Sequence, residues 1–181
     1  LARQGEVVIE IDGGVVPARL GADGPEIDLP AVVDVSTSVD VLDLAPGESR
    51  MGFALAGVPH LVVRCGDVEA VDVVERGRAL RNSSYRTEGM NVNFVSGRAA
   101  DWKIRTYERG VEDETLACGS GAISAAILLS RWSEGGDSTS LVTRSGRALT
   151  VRLRREGEGW RPTLAGEGRI VFTGELPESA G

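Results

Sequence analysis

The feature that most restricts the fold of this chain is residues 122–129, Ala-Ile-Ser-Ala-Ala-Ile-Leu-Leu. As a helix this run is apolar on almost every face, with Ser124 its only polar interruption. A surface helix keeps a polar stripe; one without it has to be enclosed on all sides. The run turns polar from Ser130 and stops by Gly135-Gly136. What could enclose it lies on either side, in short β-rich segments divided by turns. Glu6–Ile11 and Val15–Leu20 predict a hairpin around Asp12-Gly13-Gly14, and a second turn, Gly21–Gly24, leads into Glu26–Pro30. Met51–Leu55 and Leu61–Val63 read as buried strands around a Gly57-Val58-Pro59-His60 turn. Asn91–Ser96 and Trp102–Tyr107 form the next hairpin, and Ser140–Thr143, Leu149–Leu153 and Ile170–Phe172 are three further strands. Val68–Leu80 has helical spacing. The economical architecture is α+β: a curved, mostly antiparallel sheet wrapped around a central apolar helix.

The approach to that helix carries chemistry. Tyr107-Glu108-Arg109-Gly110-Val111-Glu112-Asp113-Glu114-Thr115-Leu116-Ala117-Cys118-Gly119-Ser120-Gly121 runs from a strand end, through an acidic loop, into a cysteine before glycine, serine and glycine. The helix is expected to begin at or just after Cys118. Glycines allow close backbone approach, and the first free N–H groups of a helix make an anion site. The same partial positive charge favours a thiolate at Cys118, while a carboxylate at Glu108 pulls the other way, so a poised thiol is expected. A plainer reading stands beside this one: a small buried cysteine at a helix start, and an ordinary solvated acidic loop.

Composition removes several classes. The net charge of −7 argues against nucleic acid, which needs clustered basic surface; Arg152, Arg154 and Arg155, the one basic knot, read as a solvated strand face. Two cysteines and one histidine cannot supply a four-ligand zinc site from Cys and His alone, so no metal is expected. Lys103 is the only lysine and sits mid-strand, which leaves no lysine placed for a pyridoxal Schiff base. No cofactor is expected. Leu1–Gly5 carries neither an initiating Met nor an apolar signal core, and no apolar run approaches membrane-spanning length. The chain is therefore expected to be soluble and cytoplasmic, to have no membrane partner, and to begin inside a longer protein.

Tyr-Glu-Arg-Gly-Val, an acidic link and Glu-Thr-Leu-Ala-Cys-Gly-Ser-Gly-Ala resemble the second-cysteine signature of diaminopimelate epimerases. The resemblance extends to Gly57–His60, to Gly89-Met90-Asn91-Val92-Asn93-Phe94-Val95 and to Gly166-Glu167-Gly168. It implies two pseudo-symmetric lobes, each a sheet around a helix, with the active site between the helix N-termini. It implies a cofactor-independent epimerase acting on LL- and meso-diaminopimelate, in lysine biosynthesis, with one cysteine of each lobe working on opposite faces of the α-carbon. On that resemblance Cys118 is the catalytic thiol of the second lobe and Glu108 the carboxylate managing its proton. His60 matches the histidine that partners the other cysteine. Gly119 and Ser120 match the backbone donors to the substrate carboxylate, and Asn91 and Arg109 match residues that grip the substrate. The partners implied are a small amino-acid substrate and, in assembly, a homodimer. Outside the resemblance, Asn91 could hold a turn, Arg109 could pair with Glu112 or Asp113, and His60 could be a hydrogen-bonded core residue.

Three departures accompany it. Val58 stands where the family often has asparagine before Pro-His. The link Val111–Glu114 is one residue longer than the commonest family loop. The family's first-lobe Cys-Gly-Asn-Gly turn is absent; Cys65-Gly66-Asp67-Val68 is the one candidate substitute, and its expected role is a buried structural thiol. The division expected is residues 1–34 from a first lobe, 35–50 a crossing segment, 51–168 the central-helix lobe, and 169–181 a strand returning toward the first lobe with a tail. Related proline or hydroxyproline racemases, phenazine-type isomerases, a non-catalytic ligand-binding remnant and a cysteine hydrolase stay open as alternatives.

Overall fold

The computed structural model describes residues 5–11, 14–21 and 24–174. β-Branched residues at the start of the chain form an antiparallel ribbon of β1 (Val7–Ile11), β2 (Gly14–Gly21) and β3 (Gly24–Asp28). Asp12 and Gly13, expected to make the first turn, lie outside the described residues. After the short β4 (Val35–Ser36), β5 (Glu48–Ala56) and β6 (Val58–Cys65) form a hairpin in which Ala56 pairs with Val58. The turn is therefore Gly57 alone, at φ +76°, and not the four residues expected. A left-handed residue reverses the chain in the least length, and glycine adopts it without a Cβ clash. Val58, Pro59 and His60 are consequently strand residues, and His60 is drawn into the interior.

The helix expected over Val68–Leu80 is two pieces. Asp67 caps a 3₁₀ turn, Val68–Ala70; Val71 is extended; Asp72 then caps α1 (Val73–Arg81) by accepting the Glu75 N–H. Two aspartates five residues apart each start a helix, which breaks the run between them. β7 (Asn91–Ser96) lies parallel to β6, β8 (Trp102–Glu108) antiparallel to β7, and β9 (Asp113–Thr115) folds back on the end of β8. Then come α2 (Gly119–Arg131), β10 (Ser138–Val142), β11 (Ala148–Glu156) and β12 (Gly159–Gly166).

The strands make one sheet in the order β1-β2-β3-β12-β11-β10-β8-β7-β6-β5-β4, with β9 beside β8. Only the β6–β7 and β8–β10 pairings are parallel. The sheet wraps α2, which packs on strands from β12 at one side of this order to β5 at the other. Residues 29–36 complete the wrap. Leu29 N and Val32 N donate to Pro162 and Trp160 of β12, and Val35 and Ser36 then pair with β5. Gly121 to Leu129 are all buried, and the Ser124 hydroxyl donates to Ser120 O at 2.9 Å, so the one polar interruption is satisfied inside the helix. Each Ile or Leu so enclosed is stabilised by roughly 1.5–3 kcal/mol relative to exposure. A second apolar cluster, including Leu61, Val63, Leu80, Phe94 and Tyr107, lies on the opposite face of β5–β8 under α1.

The β-rich architecture around a central helix is as expected. Four strands depart from expectation. The short β4 and β9, and β12, interrupted by Pro162 and opened by glycine, form where no strand is expected, whereas the expected strand Ile170–Phe172 does not form. Those three side chains are 79, 91 and 86% exposed. Both edges of β12 are already occupied, by β11 and β3, so no adjacent edge takes the following segment. Among the described residues no helix is long and apolar enough to cross a membrane.

Candidate active site

Backbone, charge and thiol meet at the turn into α2. Cys118 is extended (φ −132°, ψ 113°) and stands just before Gly119, so it is the N-cap of α2, with its Sγ accepting the Gly121 N–H at 3.4 Å. The Ser120 hydroxyl lies 3.5 Å from the same sulfur. A capping side chain satisfies one of the orphan donors of a first helical turn. Ala122 N is bonded to Cys118 O, which leaves the Gly119 and Ser120 N–H groups without an intrahelical acceptor. With the positive end of the helix dipole they make a two-donor anion site. Gly121 is glycine for a steric reason: a Cβ there would stand 2.3 Å from Asn93 Oδ1.

The expected balance at the thiol tips one way. Burial pushes Cys118 up to about 11, the nearby Glu108 carboxylate adds to the rise, and the Ser120 hydroxyl and Gly121 N–H pull down against them. A fractional charge at a helix end is outweighed by desolvation together with a full negative charge. The resting group is a thiol beside a carboxylate, not the thiolate that the helix start alone would favour.

Glu108 is the last residue of β8, and Arg109 begins the loop beyond it. The Arg109 backbone N–H donates to Asn91 Oδ1 at 2.8 Å, and its Nη1 donates to the Glu88 and Gly89 carbonyls at 3.2 and 3.3 Å. Asn91 thus holds the Arg109 loop, where a simple turn role had been the plainer reading. Arg109 is not engaged by the acidic link. Glu112, in the left-handed region at φ +60°, accepts instead from Arg81, Tyr107 and Gly110 N–H. Glu114 is clamped by Arg105 through two bonds of 2.6 and 2.7 Å. The acidic loop is an anchored element.

His60 is wholly buried, and burial first, then the Arg109 guanidinium, lower it to about 3. The imidazole is neutral at any ordinary pH. Its Nδ1 is 3.2 Å from Asn93 Nδ2, and its Nε2 has no hydrogen-bond partner among the described residues. Cys118, Glu108, Gly119 and Ser120 therefore form one group and Asn91 with Arg109 a second; Asn93 links His60 to the first through Gly121. Cys65 joins neither. It ends β6, its thiol donates to Val95 O at 3.3 Å, and burial pushes it up to about 11.

Beside Ser120 lies a pocket of about 310 Å³, mostly apolar, lined by Leu29, Val32, Ala56 and Ile123 among others. A larger one, about 620 Å³ between residues 38 and 51, shares no residue with this group. Val58 is partly exposed at the head of β6. Among the described residues no cluster of three or more His, Cys, Asp or Glu side chains is arranged to hold a metal, and Lys103 pairs with Glu69 at 3.7 Å. The residue that sequence reasoning passed over is Asn93. Its signal was present: two asparagines two apart on a strand, Asn91 and Asn93, with Val92 and Phe94 turned to the other face.

The family described as diaminopimelate epimerase matches residues 53–169. A diaminopimelate epimerase of Gemmatimonas aurantiaca is 45% identical over 174 residues, covering 90% of this chain and 62% of that relative. Another, of Aquifex aeolicus, is 37% identical over 179 residues, covering 96% of this chain and 62% of its own length. The chain thus spans less than two thirds of the length of these relatives. Among solved structures, a hydroxyproline epimerase of Agrobacterium vitis with bound trans-4-OH-L-proline superposes with a TM-score of 0.66 at 17% identity, over 92% of this chain and 58% of that one. At that identity the likeness is one of fold.

Proposed function

Because the chain belongs to the diaminopimelate epimerase family, we propose that it contributes the second-thiol half of a cofactor-independent site that inverts the α-carbon of LL-/meso-diaminopimelate. The carrying observation is the Cys118 thiol at the helix mouth, raised by the Glu108 carboxylate and next to the Gly119 and Ser120 N–H groups, which have no intrahelical acceptor. In this reading the Gly119 and Ser120 N–H groups bind the substrate α-carboxylate, and Arg109 and Asn91 hold the loop that closes over it. The thiol proton passes to Glu108, and the thiolate then removes the α-proton. Charge develops on the carboxylate oxygens, where the helix N–H groups stabilise it. A thiol at about 11 costs roughly 5 kcal/mol to ionise near neutral pH. An α-ammonium entering beside it lowers that cost. Inversion also needs a donor on the opposite face, and Cys65 supports no such role, being packed within the second apolar cluster and hydrogen-bonded to Val95 O of β7. We assign the second thiol to a first lobe of the kind the family resemblance implies, lying beyond the β1–β3 ribbon at the edge of the sheet, whereas residues 29–36 belong to the wrap around α2.

The test is α-proton exchange of LL-diaminopimelate in deuterated water, with stereochemical readout. It is run on this chain alone and joined to the first lobe of the Gemmatimonas aurantiaca relative. The joined protein should give meso product carrying deuterium, and the chain alone none. Inversion by the chain alone would overturn the half-site reading. A folded joined protein without exchange, or one that keeps exchange after Cys118→Ala, would overturn the assignment of Cys118. The apolar pocket beside Ser120 and Val58 at the head of β6 favour a second reading, a less polar substrate of the proline class. L-Proline and trans-4-hydroxy-L-proline in the same assay decide between them.

A further inference from the structure

Asn93 is the buried junction of this site. Its side chain has no exposed surface, and it touches three elements. Nδ2 donates to Leu61 O at 2.9 Å and faces His60 Nδ1 at 3.2 Å, both on β6; Oδ1 accepts the Thr106 hydroxyl of β8 at 3.0 Å. Oδ1 is also the atom against which the Gly121 backbone, whose N–H is capped by the Cys118 sulfur, is packed. The amide cannot be turned over. The Leu61 carbonyl only accepts, so the atom facing it must be the NH₂, and the second hydrogen of that NH₂ then points at His60 Nδ1. A ring nitrogen that receives a hydrogen bond carries no proton, so the proton of the neutral imidazole sits on Nε2.

We propose that Asn93 is the positioning residue that fixes His60 as the Nε2–H tautomer, making it a neutral hydrogen-bond donor and not a proton acceptor. Nε2 is the buried, unpartnered atom of the ring among the described residues. The chemistry it suits is an anion, a thiolate or a carboxylate oxygen, brought to that side of β6. That catalytic meaning rests on the epimerase reading, whereas the tautomer does not. In an inverting site the consequence is a division of labour: Glu108 takes a proton from its thiol, while His60 stabilises its partner without taking one.

His60 is the only histidine in the chain, so ring-¹⁵N histidine incorporated into the whole 181-residue chain gives a single pair of ring-nitrogen signals. Long-range proton–nitrogen correlation should show one neutral species, protonated at Nε2, unchanged between pH 8 and pH 5. Arg109 is the charged side chain acting on the ring and disfavours its protonation throughout. Asn93→Asp replaces the donor with a carboxylate. In that variant the proton should move to Nδ1 and the titration midpoint should rise by about one unit or more, as a partner charge within hydrogen-bond reach does. Asn93→Leu, which keeps the volume and removes both polar atoms, should give a mixture of tautomers. Wild type found in the Nδ1–H form would overturn the proposal without any variant. So would ring signals in folded Asn93→Asp that match wild type. Failure of the epimerase reading would show in the exchange assay and leave these ring signals as described; a wrong tautomer would leave exchange intact.

Discussion

The two cysteines present the same first impression and opposite environments. Cys65 and Cys118 are 2 and 8% exposed, and both are pushed up to about 11. For Cys65 the rise is chiefly burial, opposed by Arg64, and the thiol proton is spent on the Val95 carbonyl at a strand end. For Cys118 burial is joined by the Glu108 carboxylate, and the sulfur caps a helix whose Gly119 and Ser120 N–H groups have no intrahelical acceptor. A raised thiol pKa therefore does not mark a reactive cysteine. What separates the two is whether the thiol proton has somewhere to go and whether an anion site lies alongside.

The largest effect expected from breaking this contrast is on catalysis. In a protein joined to a first lobe, Cys118→Ala should lower α-proton exchange about 10²–10⁴-fold, the range for losing a general acid–base. Cys65→Ala should leave exchange within about twofold of the parent, within experimental reach of no change. Loss of exchange in a folded Cys65→Ala protein would promote Cys65 to the missing second thiol.

Alkylation against pH sharpens the comparison. Both thiols should react slowly at pH 8, because each holds its proton to about 11. Removing the carboxylate charge with Glu108→Gln takes away two of the influences that raise Cys118, so its profile should shift to lower pH. At pH 8 the rate should rise on the order of tenfold, one unit of pKa, with Cys65 unmoved. Superimposable Cys118 profiles would mean that no dyad exists. The same shifts have a sign for stability. A folded chain that keeps its thiol protons longer than the unfolded chain is stabilised below about pH 9, where an unfolded thiol ionises. That contribution is lost as pH rises from there toward 11. Urea midpoints at pH 8 and 10 should diverge less in Cys65→Ala/Cys118→Ala than in the parent.

Smaller effects should appear in stability at neutral pH. Cys65→Ala opens a small cavity in the β5–β8 cluster and should cost about 1–2 kcal/mol, at the low end of core truncations. Cys118→Ser should cost nothing and gain a few tenths of a kcal/mol, because serine is a better N-cap than cysteine. An inactive variant at least as stable as its parent is the mark of a residue kept for chemistry. A Cys118→Ser midpoint well below the parent's would argue that the sulfur is there for packing.

How much of this was legible in the sequence differs by range. The start of α2 could be placed because glycines, a cap position and an unbroken apolar run coincide within a dozen residues. The Asn91–Ser96 and Trp102–Tyr107 strands were likewise legible from local pattern. β12 was not, since its pairing is decided by β3 and β11 from distant parts of the chain, and Pro162 conceals it. Ile170, Val171 and Phe172 have the stronger strand propensity and stay exposed, because propensity cannot supply an edge to pair with. Asn93 escaped for a similar reason: its role exists only once His60, 33 residues earlier, lies beside it. The thiol balance was misjudged because the helix dipole is visible in a sequence while desolvation is not.

The enclosure of α2 also sets an order of assembly. Everything around Cys65, from Met51 to Tyr107, precedes α2 in the chain. Part of the cover over the start of α2 comes last: a Cβ on Gly119, next to Cys118, would stand 2.9 Å from Leu164 of β12. A chain emerging from synthesis, or refolding through local contacts first, can bury the structural thiol while one flank of the apolar helix still waits for β10–β12. For that interval Cys118 is an ordinary exposed thiol, free of the burial that later raises it and open to oxidants. Pulsed alkylation during refolding should find Cys65 protected first and Cys118 second. The residue we propose as the catalytic thiol would then be the last to be made safe.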